Sequence, residues 1–470
     1  MAVSLEPEKS LQGAELWRVW RLVGPRIRTL STMSLRLENP RDEIAVDPAQ
    51  REATRRDVVA LLGWFALISG VAIGGQIVKE SFATNVLAPP LFGRFDVRVG
   101  PATLLVVTMG CAIVWFGPRV VSTVPWRILL VVTTLAAGSW ALSLAMVDGV
   151  DALSAPLSGP HDYLVTVERI DSPGTFLETF VDRLETYSLH VQGHPPGMVL
   201  VFWGLAWLGL VGAAWAAVLV IGVGVSATAA ALLTVKAMSG ETNARRLAPF
   251  LALAPAAIWI ATSADAFFMG VGAWGIALLA LGAERRSDYL SLAGGLVLGL
   301  ALFLSYGAVA LAPVAVVAAA AHRGLRPPLV ATGGVFAIVA LFGVAGFWWF
   351  DGLSDTVAAY EAGVASQRPF AWFAVANLAA FALALGPAAA VGLGRLHRAP
   401  TAALTCAALI GVVAADLSGL SKGEVERIWL ILVPWVLTIC ATFELRRCRG
   451  MLALQGLAAL AIQTGVRTPW

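Results

Sequence analysis

The stretch MVLVFWGLAWLGLVG, residues 198–212, decides how this chain threads. Its 15 residues are apolar throughout, whereas a bilayer-crossing helix needs about 20. Counted as a crossing, it inverts every loop that follows. Counted as a helix dipping into one leaflet, it leaves the later loops in keeping with the positive-inside rule. The second reading is adopted, which puts YSLHVQGHPPG, residues 187–197, at the outer membrane surface.

The rest of the chain demands a membrane. Its 470 residues are 58% hydrophobic and 13% charged, with a mean hydropathy of +0.78. Apolar stretches near bilayer length recur along most of it, which excludes a soluble globule. No segment alternates in the two-residue rhythm of an outer-membrane barrel. The expected fold is all-α and polytopic, with about thirteen spans near 57–78, 100–118, 126–146, 214–237, 245–262, 266–284, 288–303, 306–321, 328–348, 372–393, 401–416, 428–444 and 451–468. Residues 1–56 are polar and basic and lack the apolar core of a signal peptide. They are read as a cytoplasmic segment, with an amphipathic stretch at Trp17 to Ile27, and residues 57–470 as the membrane domain.

Charge orients this arrangement. With the first 56 residues in the cytoplasm, the inner loops collect Arg119, Arg127, Lys236, Arg245, Arg246, Arg285, Arg286, Arg323, Arg326, Arg395, Arg398, Arg446, Arg447 and Arg449, while acids lean outward. The four cysteines, Cys111, Cys406, Cys440 and Cys448, fall in spans or beside a basic loop, so neither a disulfide framework nor a metal spacing is present. No cofactor is required by any motif, though a divalent cation is left open. No nucleotide fingerprint follows a strand, and no feature calls for nucleic acid. Arginine outnumbers lysine 29 to 4, a bias that suggests a GC-rich bacterial genome.

Polar chemistry concentrates in one outer loop, residues 147–197. It holds His161, His190 and His194, three of the chain's five histidines, and the acids Asp148, Asp151, Asp162, Glu168, Asp171, Glu178, Asp182 and Glu185. Within SPGTFLETFVDRLETY, the spacing of Phe176, Leu177, Phe180, Val181 and Leu184 predicts an amphipathic helix lying on the outer leaflet, started by Pro173 after Ser172. Such a loop is either a solvated cap or a site, and its length and histidine content favour a site. The same face is expected to receive Asp265 at a hairpin tip, Ser305 with Tyr306 at another, and Lys422, Glu424, Glu426 and Arg427 from GLSKGEVERIWL. Lys422 reads as an interfacial anchor. Glu426 and Arg427 run straight into apolar sequence, where charge is costly and function is the more economical explanation.

An acid followed by tyrosine in a large first outer loop (HDYL, at Asp162 and Tyr163), then GHPPG at His194, Pro195 and Pro196 entering a short surface helix, resembles the GT-C superfamily. These are membrane glycosyltransferases that use polyprenyl-phosphate sugars. TSADAFF around Asp265 and GEVERIWL around Arg427 look like segments of bacterial members, and the likeness runs in order over residues 126–444. Gly197 departs from the leucine common after HPP in the wider family. The nearest subgroup is the actinobacterial arabinofuranosyl and methylthioxylosyl transferases.

The resemblance implies inverting transfer of a sugar, a pentose among the choices, to a cell-envelope glycan or glycolipid on the outer face of the plasma (inner) membrane, as a step of cell wall biosynthesis. It assigns the general base to Asp162, with Glu168, Asp171 and Asp265 as rivals, and the phosphate to Arg427, assisted by Lys422 or Arg368. Tyr163 joins the donor site. Glu424 and Glu426 either bond sugar hydroxyls or pair with Arg427. His194 either donates to the phosphate or caps the helix after Pro195 and Pro196. The polyprenyl tail is expected along the apolar segment behind them. The rival class is a transporter or flippase of lipid-linked sugars, which predicts midplane charges, broken helices and an internal repeat. No charge lies deep in the later spans and no period is visible.

Overall fold

The computed structural model describes residues 48–78, 86–322 and 324–470. The chain divides into two compact units, Met1–Arg55 and Arg56–Trp470. Residues Trp17 to Ile27, with their expected amphipathic stretch, lie outside the described residues.

The described residues are helical almost throughout. Helices α1 (Pro48–Val78), α2 (Pro101–Thr123) and α3 (Trp126–Ala145) lead to the long loop, which contains α4 (Tyr163–Val167), α5 (Pro173–Glu178) and α6 (Leu189–Gln192). Then come α7 (Gly197–Trp207), α8 (Ala213–Ser239), α9 (Glu241–Ala252), α10 (Ala264–Arg285), α11 (Asp288–Leu304), α12 (Ala312–Ala320) and α13 (Arg326–Val344). The chain continues through α14 (Trp349–Ala362), α15 (Phe370–Leu385), α16 (Pro387–Leu393), α17 (Ala402–Leu417), α18 (Val425–Ile428), α19 (Val433–Val436) and α20 (Arg449–Gly465). Two short strands, β1 (Arg94–Phe95) and β2 (Val466–Arg467), pair antiparallel.

Among the described residues, seven segments are long and apolar enough to cross a bilayer: Thr54–Val78, Pro101–Thr123, Trp126–Asp148, Ala213–Ser239, Ala264–Arg285, Arg326–Val344 and Val425–Thr442. The pair α15–α16, bent by 105°, makes an eighth if taken as one span. The protein is a multi-pass membrane protein. The expectation of thirteen spans is corrected by length. The regions 245–262, 288–303, 306–321, 401–416 and 451–468 form helices of at most 17 residues, about 25 Å against a hydrocarbon core of about 30 Å. Apolarity had been read as span; much of it serves helix–helix burial instead.

The short helix at residues 198–212 is seen as such: α7 has 11 residues. It ends in a turn where Gly209 and Gly212 take φ of +81° and +96° before α8 begins. Its first residue, Gly197, lies so close to α11 that a Cβ would stand 2.2 Å from the Phe303 carbonyl oxygen. Centrally, α8 packs on α10 through small residues; a Cβ on Gly270 would meet the Val223 carbonyl at 2.2 Å. That close fit fixes the height of α10 along α8.

The amphipathic helix expected over residues 172–187 is corrected in two respects. Ser172 caps it, accepting the Thr175 N–H, and Pro173 opens it, but regular helix stops at Glu178 and the rest is turns and 3-10 helix. Its apolar stripe faces protein rather than lipid: Phe176, Phe180 and Leu184 are buried, and the Phe180 ring packs on Phe347 at 5.3 Å and on Tyr187 at 5.5 Å.

Candidate functional site

The loop and the later helices meet at a cavity of about 150 Å³. It is lined by His161, Asp162, Tyr163 and His190 from the loop, by Thr262, Ser263 and Asp265 from the start of α10, by Arg427 from α18, and by Pro469 and Trp470.

On the loop side, Asp162 is buried at 5% exposure. One of its oxygens accepts the Tyr163 N–H at 2.7 Å, which caps α4. The other lies 3.1 Å from Nδ1 of His190. The fold brings them together because the His190 N–H donates to the His161 carbonyl at 2.9 Å, folding α6 back on the start of α4. Asp162 therefore has a capping role and also holds an imidazole against the cavity. His190 was seen in the sequence only as one of a cluster. A separation of 28 residues across irregular chain carries no periodic signal.

His194 lies beneath this pair, its ring against Tyr163 at 5.9 Å and Phe268 at 5.5 Å. Its Nδ1 donates to the His190 carbonyl at 2.8 Å, and burial pushes its pKa from 6.5 down to about 4. The ring is thus neutral near pH 7, with Nε2 as an acceptor, so this tautomer offers no donor to a phosphate. Nor does it cap α7, whose N-cap position is Pro196 without a side-chain bond. Burial also raises the Tyr163 pKa well above the usual phenol range, keeping its hydroxyl neutral.

On the opposite wall, Asp265 occupies the first turn of α10, buried at 4% exposure rather than standing at an open hairpin tip. Arg427 donates to it from Nη1 at 2.7 Å and to Glu424 from Nη2 at 2.6 Å. Glu424 adopts a left-handed φ of +64°, a strained conformation for a residue with a Cβ, and it is this turn that starts α18. Glu426 does not pair with Arg427: its Oε1 accepts the Phe92 N–H at 2.9 Å. The turn is braced by residues that sequence reasoning passed over. Asn377 donates to Asp416 at 2.9 Å and to the Ser421 carbonyl at 2.7 Å, and accepts the Gly423 N–H at 3.1 Å. Asp416 is buried in the last turn of α17. An isolated Asn and Asp within apolar runs were the available signal.

Other expected residues stand apart from the cavity. Glu168 and Asp171 are exposed, and Glu168 borders a second, apolar cleft. Lys422 donates to the Ser366 carbonyl at 2.9 Å, and Arg368 bonds the Lys422 carbonyl. Ser305 bonds its own turn at the Gly307 N–H.

Three residues of the cavity wall each carry a buried polar atom with no hydrogen-bond partner among the described residues: Thr262 Oγ1, Arg427 Nε and Trp470 Nε1. Leaving such buried groups unpaired costs about 1–3 kcal/mol each. Among the described residues no three His, Cys, Asp or Glu side chains converge as metal ligands. Asp162 and Asp265 are engaged by His190 and Arg427.

The apolar cleft, of about 500 Å³, runs between α4 and α7, lined by Leu164, Val167, Phe202, Trp203, Leu210 and Val211 among others. It lies one ring away from the polar cavity: Tyr163 lines the cavity, Phe202 lines the cleft, and their rings meet edge to face at 6.3 Å.

No protein-family model and no curated protein matches this chain. Among solved structures, an oligosaccharyltransferase of Archaeoglobus fulgidus, crystallised with zinc and sulfate, is similar over 73% of this chain and 54% of its own, at 14% identity and a TM-score of 0.45. The chain thus spans about half the length of that protein.

Proposed function

We propose that this protein is a membrane glycosyltransferase that moves a sugar from a polyprenyl phosphate to a glycan or glycolipid acceptor at the outer face of the plasma membrane. The observation that carries the reading is the juxtaposition of two compartments. A polar cavity holds a carboxylate–imidazole pair on one wall and a buried arginine on the other, and an apolar cleft of about 500 Å³ begins across the Tyr163–Phe202 ring contact.

In this reading the tail lies in the cleft along α7 and the phosphate enters the cavity beside Arg427. The acceptor hydroxyl gives its proton to the Asp162–His190 pair as its oxygen bonds the anomeric carbon. The bond from that carbon to the phosphate oxygen breaks on the opposite side, so configuration inverts and polyprenyl phosphate leaves with the electron pair. Arg427 stabilises the charge that develops on the leaving oxygen. Asp265 and Glu424 hold the guanidinium in place beforehand, so no reorganisation is needed during the step. Two carboxylates against one guanidinium leave no net positive charge, hence the site acts through an oriented donor. A pentose donor and an envelope acceptor follow from the sequence resemblance and belong to this proposal.

The test is transfer of labelled sugar from polyprenyl phosphate to envelope glycan in membranes, wild type against Asp162→Asn. Asparagine still accepts the Tyr163 N–H and so keeps the α4 cap, but it takes up no proton. Loss of transfer in a folded variant supports the reading; equal rates, or no transfer by wild type from any polyprenyl-phosphate sugar, overturn it.

A further inference from the structure

The segment 464–470 crosses to the polar cavity from the far end of α20, and no role has yet been given to it. It is held deliberately. Its strand β2 pairs with β1, Arg94 opposite Arg467 and Phe95 opposite Val466. Arg98 donates to the Gln463 and Val466 carbonyls, each at 2.5 Å, and forms an ion pair with Asp148. Gln463 donates to the other oxygen of Asp148 at 2.8 Å. This arrangement delivers the Trp470 indole onto Arg427, with the guanidinium carbon 4.2 Å from the ring centroid. Phe92, whose N–H is held by Glu426, stacks on the same indole at 5.5 Å and 15°.

We infer that Trp470 is a ligand-binding residue: its indole N–H, together with Arg427 Nε and Thr262 Oγ1, forms the seat of a phosphate monoester. The inference rests on the glycosyltransferase reading only for the identity of the lipid attached to that phosphate. Three features carry it. The three atoms belong to residues that line one cavity, and none has a partner among the described residues. Thr262 and Arg427 are more than nine-tenths buried, so their unpaired atoms are costly unless a ligand meets them. Two of the three, the indole and guanidinium N–H groups, only donate, so the group that satisfies them is an acceptor. The two outer nitrogens of Arg427 are taken by Asp265 and Glu424. The guanidinium that carries the Nε–H lies over the ring that carries the indole N–H, so the two donors belong to neighbouring groups on one wall.

The experiment measures binding of citronellyl phosphate, and separately of inorganic phosphate, to the purified full-length protein in nanodiscs by calorimetry. Trp470→Phe keeps an aromatic ring over Arg427 and removes only the N–H; it is expected to weaken citronellyl phosphate binding about tenfold, the worth of one hydrogen bond to a charged oxygen, with an unchanged unfolding midpoint. Thr262→Val is expected to weaken it further. If inorganic phosphate binds and shows the same loss in Trp470→Phe, the seat is supported as a site for the phosphate group itself. Equal affinity in wild type and Trp470→Phe, or no binding of citronellyl phosphate by wild type, overturns the inference. A wild type that binds citronellyl phosphate with this Trp470 dependence, yet transfers no sugar, leaves the seat standing and removes the transferase reading.

Discussion

The Lys236–Glu241–Arg245 cluster, at one end of α8, and the Asp265–Glu424–Arg427 cluster, beside its other half, are built from similar groups in different surroundings. In the first, Glu241 accepts from Lys236 at 2.8 Å and from Arg245 at 2.6 Å, and Arg245 also bonds the Val121 and Val124 carbonyls. Its side chains are partly open to solvent, Lys236 at 34% and Glu241 at 37%. In the second, Arg427 and Asp265 are 8% and 5% exposed, and Nε of Arg427 has no protein partner. Partly exposed pairs that saturate each other tie helix ends together and contribute little individually. A buried pair with a spare donor is expensive to maintain, and the proposed phosphate ligand would account for its retention. Exposure and completeness, more than charge count, separate the fastener from the site.

The strongest test of that contrast is Asp162→Asn. Loss of a general base costs about 10²–10⁴-fold, so sugar transfer should fall by about 10³-fold, whereas Lys236→Ala should leave the rate within about twofold. Comparable losses from both variants would erase the distinction. Next in size is stability. Asp265→Ala leaves a buried guanidinium with one carboxylate fewer and should cost about 3 kcal/mol. Glu241→Ala, on an exposed pair, should cost no more than about 1 kcal/mol. Unfolding midpoints in detergent measure both, and a larger fall for Glu241→Ala would reverse the assignment.

A smaller effect follows from His194. Its pKa in the folded chain is about 4, below the ordinary 6.5. Between those values the unfolded chain holds a proton that the folded chain does not, so the neutral ring is fully tolerated above pH 6.5 and stability is lost as pH falls towards 4. His194→Phe should flatten the unfolding midpoint across that window; an unchanged slope would count against the buried neutral imidazole. The smallest effect is expected at Glu168, which borders the apolar cleft and is remote from the polar cavity. Glu168→Gln should change transfer by less than about twofold, and a loss like that of Asp162→Asn would move the base to the cleft.

The membrane class and the short α7 were legible in sequence, because hydropathy reports them directly; Asp265 and Arg427 stood out as charges beside apolar runs, whereas Asp162 and Tyr163 were singled out only by the resemblance. Span number was not. A 16-residue apolar helix such as α17 and a true crossing have the same composition, and only length against bilayer thickness tells them apart. The partnership of Asp162 with His190 depends on α6 folding back through a single backbone bond, which leaves no pattern in the chain. Trp470 was invisible for a related reason. A two-residue ladder and one arginine–aspartate latch place it against a residue 43 positions earlier, Arg427, and ladders this short have no periodicity. Where the sequence called for a surface helix at 172–187, tertiary burial of the apolar stripe against Phe347 took precedence over lipid contact.

The contact of Gly197 with the Phe303 carbonyl has a consequence for how this chain can change with time. A leucine at 197 has no room here while α11 keeps its place: even a Cβ would stand 2.2 Å from that oxygen. Any side chain at 197 therefore requires a shift at the end of α11 first. Position 197 and the end of α11 can thus change only together.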